Sequence, residues 1–373
     1  MKAHFEVAHV LRQHWIEVEQ HPQINRWQLR ALSALKRCRT ADLGGHVDAC
    51  TECGTVRISY NSCRNRHCPK CQGKNREDWI AKREAELLPV PYFHVVFTLP
   101  DTLNRLAMYQ PRAVYDSLFE AAWKTVACFA KDPKHLGAKP GMIAILHTWG
   151  QTLSLHPHLH CIVPGGGLAK NQKWKTAKTQ GKYLFPVKAM SKVFRAKYVQ
   201  ALKSRLQPAK ELVDELFQKD WVVYAKRPFG HPKAVLEYLG RYTHKVAISN
   251  HRILDIDRQK INFSYKDYRQ GAQKLEMTLD NLEFIRRFSM HILPKGLVRI
   301  RHFGILGSSA KQVTISLIHR ELGIPIMEPE PRVLEIYNPR YCPCCQKESM
   351  VSIQRLPKRG PPKAVFPTVA TQF

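Results

Sequence analysis

The chain has 373 residues, with 59 lysines and arginines against 30 aspartates and glutamates, giving a formal charge of +29. That length allows one sizeable core or two modest ones with appendages, and that charge points to a polyanionic partner, nucleic acid before membrane. No apolar run approaches a membrane span, and the start, MKAHFEVAHVLRQHW, lacks the continuous apolar core of a signal peptide, so a cytoplasmic protein without membrane contact is expected.

Residues 1–45 read as a helical lead-in. Phe5, Val7, Val10, Leu11 and Trp15 recur at helical spacing, and Trp27, Leu29, Leu32 and Leu35 do so again after Pro22. Residues 46–88 carry Cys50-x2-Cys53, a short strand around Val56 to Tyr60, and Cys68-x2-Cys71. Eleven cysteines grouped in such pairs in a large basic chain favour structural Zn²⁺ over disulfides. Two knuckles fourteen residues apart can close one tetrahedral thiolate site, so Cys50, Cys53, Cys68 and Cys71 are the expected ligands. Cys38, His46, Cys63 and His67 remain nearby, available for a second site or as substitutes. Arg64, Arg66, Lys70 and Lys74 crowd the knuckles. They are expected to grip DNA phosphates, the alternative being solvated charge on a structural clip.

A helix over Asp78 to Leu88 leads through Pro89 and Pro91 into a strand, Tyr92 to Leu99, whose His94 suits a core or supporting role. Residues 101–131 read as helices. Met142 to Pro164 then reads as a β-hairpin turning near Leu153 and Ser154. Ile143, Ile145, His147 and Trp149 alternate on one strand, and His158, His160 and Ile162 on the other. Pairing about that turn sets His147 across from His160 with His158 diagonal to it, so three imidazoles share a face while Leu159 packs behind. A His-hydrophobe-His pair alone also fits a polar strand face; a third histidine that fits the geometry favours a metal site, with His156 competing with His147 for that place. From Pro133 to Lys210 there is no acidic residue and fourteen basic ones, so a metal there has no carboxylate from its own segment, and the surface suits a polyanion.

Gly165-Gly166-Gly167 reads as a turn without a phosphate-loop context. Trp174, Tyr183, Phe185, Phe194 and Tyr198 lie among lysines that include Lys173 and Lys175; such aromatics either stack unpaired bases or fill a core. After a strand over Trp221 to Tyr224, Pro232 opens a helix on which Tyr238 and Tyr242, four apart, share a face. Two core tyrosines are the plainer reading of that helix alone. Beside a histidine metal site, a phenolate is also a competent nucleophile toward a phosphodiester, leaving a 5′-phosphotyrosine and a free 3′-hydroxyl.

HPHLHCIVPGGGL, VYAKRPFGHPKAVLEYLGRYTHKVAISNHRI and NSCRNRHCPKCQ together resemble the insertion sequence 91 family of two-tyrosine rolling-circle transposases, within the broader His-hydrophobe-His (HUH) endonucleases. The resemblance runs from about Cys50 to Arg301. It implies an α+β fold, an antiparallel sheet flanked by helices, following the amino-terminal helical and zinc-binding module, with residues 89–310 as the nuclease domain. It further implies His158 and His160 as ligands of Mg²⁺ or Mn²⁺, with a third histidine, amide or acid for which His147 is preferred to His156, Gln151 and Glu237, Tyr238 and Tyr242 as nucleophiles, and single-stranded DNA at transposon ends as substrate. The expected setting is the bacterial nucleoid, with unwinding left to a host helicase or the replication machinery, since no helicase-type phosphate loop is present. A plasmid replication initiator or relaxase would share the motifs, and a zinc-dependent DNA-binding regulator would use the same residues structurally.

Strands and helices alternate from Lys245 to Leu293, and Arg241, Arg299 and Arg301 join the expected phosphate contacts, with a solvated basic face as the alternative. Residues 311–355 hold Cys342-Pro-Cys344-Cys345, half of a metal site or simply reduced thiols. The tail, 356–373, rich in Pro and Lys, is expected to be disordered.

Overall fold

The computed structural model describes residues 3–71, 87–178, 184–226, 234, 246–267, 271–308, 311–324 and 338–358. The expected helix at Asp78, the tyrosine segment with Arg241 and Glu237, Lys74, and most of the tail lie outside the described residues. What is described is α+β, with antiparallel sheets flanked by helices.

The strands, in chain order, are β1 (Gly45–Cys50), β2 (Val56–Tyr60), β3 (Tyr92–Thr98), β4 (Gly141–Trp149), β5 (Leu155–Pro164), β6 (Gly166–Leu168) and β7 (Trp174–Thr176). They continue with β8 (Val223–Lys226), β9 (Ile253–Ile256), β10 (Lys260–Asp267), β11 (Gln273–Asp280), β12 (Ile300–Gly304) and β13 (Met350–Leu356). The central sheet has the order β12-β4-β5-β3-β8, antiparallel throughout. Because side chains alternate along a strand, Phe93, Val95, Phe97, Ala144, Leu146, Leu159 and Cys161 share one face. That face is buried beneath the helices Pro111–Lys131 and Val187–Lys203. The first of these helices has Pro at its first turn, where no intrahelical donor is lost. Its Val114, Leu118, Ala121, Ala122 and Val126 supply the apolar stripe toward the sheet. Each such Val or Leu contributes about 1.5–3 kcal/mol by leaving water. Phe185, Phe194 and Tyr198 are buried in the same core, so for these the basic stretch's aromatics serve packing and not base stacking.

The opposite face is divided. One end is apolar, with Tyr92, Ile143, Ile145 and Ile162 packed under Ile305, Leu306, Ile315 and Ile318; the other end carries the histidines. A second core joins the amino-terminal helices Val7–Gln13 and Arg26–Lys36 to Ile248, Ile261, Phe263 and the helix Asn281–Ser289, so packing crosses the expected boundary at residue 45. A separate three-stranded sheet, β13-β1-β2, brings the carboxy-terminal strand beside the first.

The glycine triplet departs from expectation. Gly166 and Gly167 belong to β6, paired with β7, and a Cβ on Gly166 would stand 2.4 Å from the Trp174 ring. Close approach of backbone to a tryptophan, not turning, is what requires glycine there.

Candidate metal centres and DNA-facing residues

His147, His158 and His160 each present a ring nitrogen within 4.8 Å of the other two. The hairpin that positions them turns at residues 150–154, where Gly150 N–H donates to the Ser154 carbonyl and Leu153 takes φ 61°. The register differs from the expected one: His147 pairs with His158, and His160 pairs with Ile145. The turn is centred nearer Thr152 than Ser154, which slides the pairing by two residues. Strand periodicity is two, so the slip leaves every side chain on its expected face, and the same three histidines meet.

The His158 tautomer follows from its partner. His158 Nδ1 donates to the His156 carbonyl at 2.6 Å, which leaves the Nε2 lone pair facing the cluster. His160 Nδ1 is hydrogen-bonded to His94 Nε2 at 2.9 Å, with the two rings stacked 5.1 Å apart. His94 comes from β3, diagonal to His160, so it supports a ligand and does not join the cluster. The His158 and His160 Nε2 atoms are 3.2 Å apart. Adjacent ligands at ~2.1 Å on an octahedral ion stand about 3 Å apart, so the pair fits one divalent ion. Burial pushes the His158 pKa down to about 4, the hydrogen bond to His156 opposing only in part, so the ring is neutral and ligand-competent near pH 7. His147 stacks on Trp149 at 4.7 Å, and the Arg299 guanidinium covers the other ring neighbourhood of Trp149 at 4.9 Å. His156 is exposed and lies outside the cluster, and Gln151 Oε1 accepts from Lys266 N–H.

The cysteines sort differently from the expected four. Cys38, Cys63, Cys68 and Cys71 form one group, and Cys50, Cys53, Cys342 and Cys345 another. The reason is the β1–β2 hairpin: Cys50 and Cys53 sit at its turn, whereas Cys63 follows the end of β2, beside Gly45. Five residues of strand span ~17 Å, too far for one ion to reach both knuckles. In the first group Cys71 Sγ lies 3.6 Å from Cys38 Sγ and 3.7 Å from Cys63 Sγ, close to the separation of thiolates on one zinc. Cys38 and Cys63, expected for a second site or as substitutes, complete this one. A lone cysteine ending a helix and another before a knuckle carried no spacing signal.

Four expected phosphate contacts are engaged within the protein. Arg66 donates to the carbonyls of Leu293, Pro294 and Leu297 at 3.2, 2.9 and 2.7 Å, strapping the zinc knuckle to the segment before β12. Lys70 pairs with Glu6 at 2.6 Å and donates to the Cys38 carbonyl. Arg301 pairs with Asp116 and lies over Phe119 at 4.1 Å. Arg299 Nε donates to the Leu146 carbonyl, and burial pulls its pKa down to about 9, with Arg66 adding repulsion. These guanidinium and ammonium donors meet carbonyls and carboxylates because they sit where elements pack. Arg64, Lys173 and Lys175 are exposed. Sequence reasoning missed His291 and offered His67 only as a spare zinc ligand. Burial pushes His67 down to about 3 and His291 to about 4, and His291 Nδ1 accepts from Thr148 while Nε2 donates to the Leu153 carbonyl, bracing the hairpin turn.

Residues 141–313 match the Y2_Tnp family model, described as "Putative transposase", and residues 10–99 match Zn_Tnp_IS91, "Transposase zinc-binding domain". A Sinorhizobium fredii protein described as "Putative transposase y4qJ" is 41% identical over 389 residues, covering 96% of this chain and 97% of its own length. The chain belongs to the IS91 family of transposases. A second family relative, the transposase for insertion sequence element IS801 of Pseudomonas savastanoi pv. phaseolicola, is 28% identical over 325 residues, 82% of this chain and 77% of its own. Among solved structures, "Conjugative Relaxase TrwC in complex with OriT Dna" aligns with a TM-score of 0.21 and 8% identity over 63% of this chain and 73% of that one, a likeness that carries no argument. The first transposase segment contains the histidine hairpin, and the second contains all four thiols of the Cys38 group, so zinc binding has both a family and a geometric basis. Among the described residues no helix is long and apolar enough to cross a membrane.

Proposed function

We propose that this transposase nicks and rejoins single-stranded DNA at transposon ends, using His147, His158 and His160 to hold Mg²⁺ or Mn²⁺ and Tyr238 and Tyr242 as nucleophiles. The observation that carries the reading is the cluster of three imidazoles, with His158 held by the His156 carbonyl in the tautomer that leaves Nε2 facing the cluster and His160 braced by His94. When bound, the ion polarises a phosphoryl oxygen and offsets charge that builds there. The protein's own work is positioning. His94 orients His160, and the His156 carbonyl orients His158. β8 leads the chain out toward the tyrosine segment from beside β3, with Lys226 opposite His94, and the chain returns at Val246 and Ala247 against Trp149 and Arg299. Both ends of the segment that bears the tyrosines therefore flank the sheet that bears the histidines.

In the reaction a tyrosine phenolate oxygen attacks phosphorus, the bond from phosphorus to the 3′-oxygen breaks, and the departing 3′-hydroxyl takes a proton. The phosphodiester energy is kept as 5′-phosphotyrosine, and attack by a 3′-hydroxyl on that linkage restores DNA and frees the phenol. Two tyrosines allow two such linkages in succession, as rolling-circle transposition requires. Exposed Arg64, Lys173 and Lys175 supply phosphate contacts, while a host helicase or replication fork supplies single strands. The test is incubation with labelled single-stranded oligonucleotides carrying the element's end and Mn²⁺ or Mg²⁺, comparing wild type with Tyr238→Phe, Tyr242→Phe and both. A covalent adduct lost only in the double variant is the expected result. Tight binding without an adduct at a verified end would support a zinc-dependent DNA-binding regulator instead.

A further inference from the structure

Cys342 and Cys345 lie beyond both family segments, and the thiols they join take no part in the reaction proposed above. We propose that Cys50, Cys53, Cys342 and Cys345 bind a second zinc ion, which fastens the carboxy-terminal arm to the amino-terminal sheet.

The sulfur geometry is that of a thiolate cage. Cys50 Sγ lies 3.6 Å from Cys345 Sγ, Cys53 Sγ lies 3.7 Å from Cys342 Sγ, and all four fall within 4.8 Å of one another. Four ligands held ~2.3 Å from a tetrahedral ion stand about 3.8 Å apart. A disulfide would need a separation of about 2.0 Å, and all four cysteines are free.

The two knuckles also share a backbone design. Each Cys-x2-Cys pair is followed by a residue with positive φ, Gly54 at 71° and Gln346 at 56°. The N–H of that residue donates to the carbonyl of the first cysteine, Gly54 to Cys50 at 3.1 Å and Gln346 to Cys342 at 3.0 Å. Cys53 N–H points at Cys50 Sγ from 3.4 Å, a donor placed where thiolate charge would concentrate. Gln346 lacks glycine's freedom, so its left-handed conformation must be held by what surrounds it. Among the described residues, the one buried apolar side chain besides the cysteines in their cluster is Met350. A segment with so small a core folds on a metal.

Several of the surrounding contacts cross between the two arms. Lys347 pairs with Glu52 at 3.0 Å, Arg57 donates to the Pro339 carbonyl at 2.9 Å, and β13 pairs with β1 beginning at Met350 opposite Cys50. Cys53 and Cys342 are 289 positions apart, so an ion between them closes a loop that contains the whole histidine-bearing sheet. Cross-links that close long loops remove most freedom from the unfolded chain.

Elemental analysis of the purified full chain tests this, and needs no DNA cleavage. Wild type should carry two zinc ions per chain, Cys342→Ser/Cys345→Ser one, and Cys344→Ser, which alters an exposed thiol outside the cluster, two. One zinc per chain in wild type, or two in the double variant, would overturn the proposal. If the double variant does not fold, cobalt titration of metal-stripped wild type decides. Thiolate-to-cobalt absorption should rise until two equivalents are bound, and saturation at one equivalent would refute the second site.

Discussion

His147, His158 and His160 stand on two neighbouring strands joined by the loop 150–154, whereas Cys50 and Cys53 meet Cys342 and Cys345 from opposite ends of the described chain. The first centre is specified by alternation within one hairpin. The second exists only once the tertiary fold has formed. Side-chain alternation puts the histidines on one face in either the expected or the observed register, but a distant centre depends on every element between its halves.

The comparison can be broken most decisively at the histidines. His158→Ala/His160→Ala should abolish both Mn²⁺ binding, followed by calorimetry, and adduct formation, while zinc content stays at the wild-type value. Loss of zinc along with manganese would show that the centres are not built independently. His94→Ala removes only the support of a ligand and should weaken Mn²⁺ affinity ~10–100-fold with the fold unchanged by circular dichroism. An unaltered affinity would mean that His160 needs no such brace.

Arg66 straps the knuckle of the Cys38 group to the segment before β12. Arg66→Ala strands three carbonyls and should cost about 1–3 kcal/mol in urea unfolding. Arg66→Lys should recover little, because an ammonium cannot reproduce the planar fork. Acid sharpens the comparison further. His158, His291 and His67 titrate near 6.5 when unfolded, but burial holds the folded values at about 4, 4 and 3. Below pH 6.5 the unfolded chain therefore binds more protons, so their contribution, complete above 6.5, is lost as pH falls toward 4. Thermal melts of metal-free protein should show Tm falling across that window, and a flat profile would contradict the burial of these rings. The smallest effect belongs to the exposed lysines. Lys173→Ala/Lys175→Ala should lower the salt slope of single-strand binding by about 1.4, two contacts at ~0.7 each, with any cleavage at saturating DNA unchanged.

Much of this was readable from residue order. The alternation in MIAILHTW and HPHLHCIV places Leu159 in the core and the histidines on the other face, and the structure agrees. The helices around Val10, Leu32 and Leu118 follow their apolar spacing. The thiol pairing did not follow from spacing, because fourteen residues between knuckles says nothing of the hairpin that separates them. Nor does an arginine's position reveal its acceptor: Arg66 and Arg64 are two apart, yet one is locked onto three carbonyls and the other is exposed.

In the amino-terminal sheet β1 lies between β2 and β13. Synthesis delivers β1 and β2 early and β13 after every other described strand, so one edge of β1 stays bare while the rest of the chain emerges. The histidine hairpin, needing only its own neighbours, can form well before that edge is covered. A polypeptide released before Met350 would keep the edge open, with unpaired backbone donors and acceptors ready to join a second such chain. Premature termination in the last stretch of the message should therefore yield an aggregating product, not merely a shortened one.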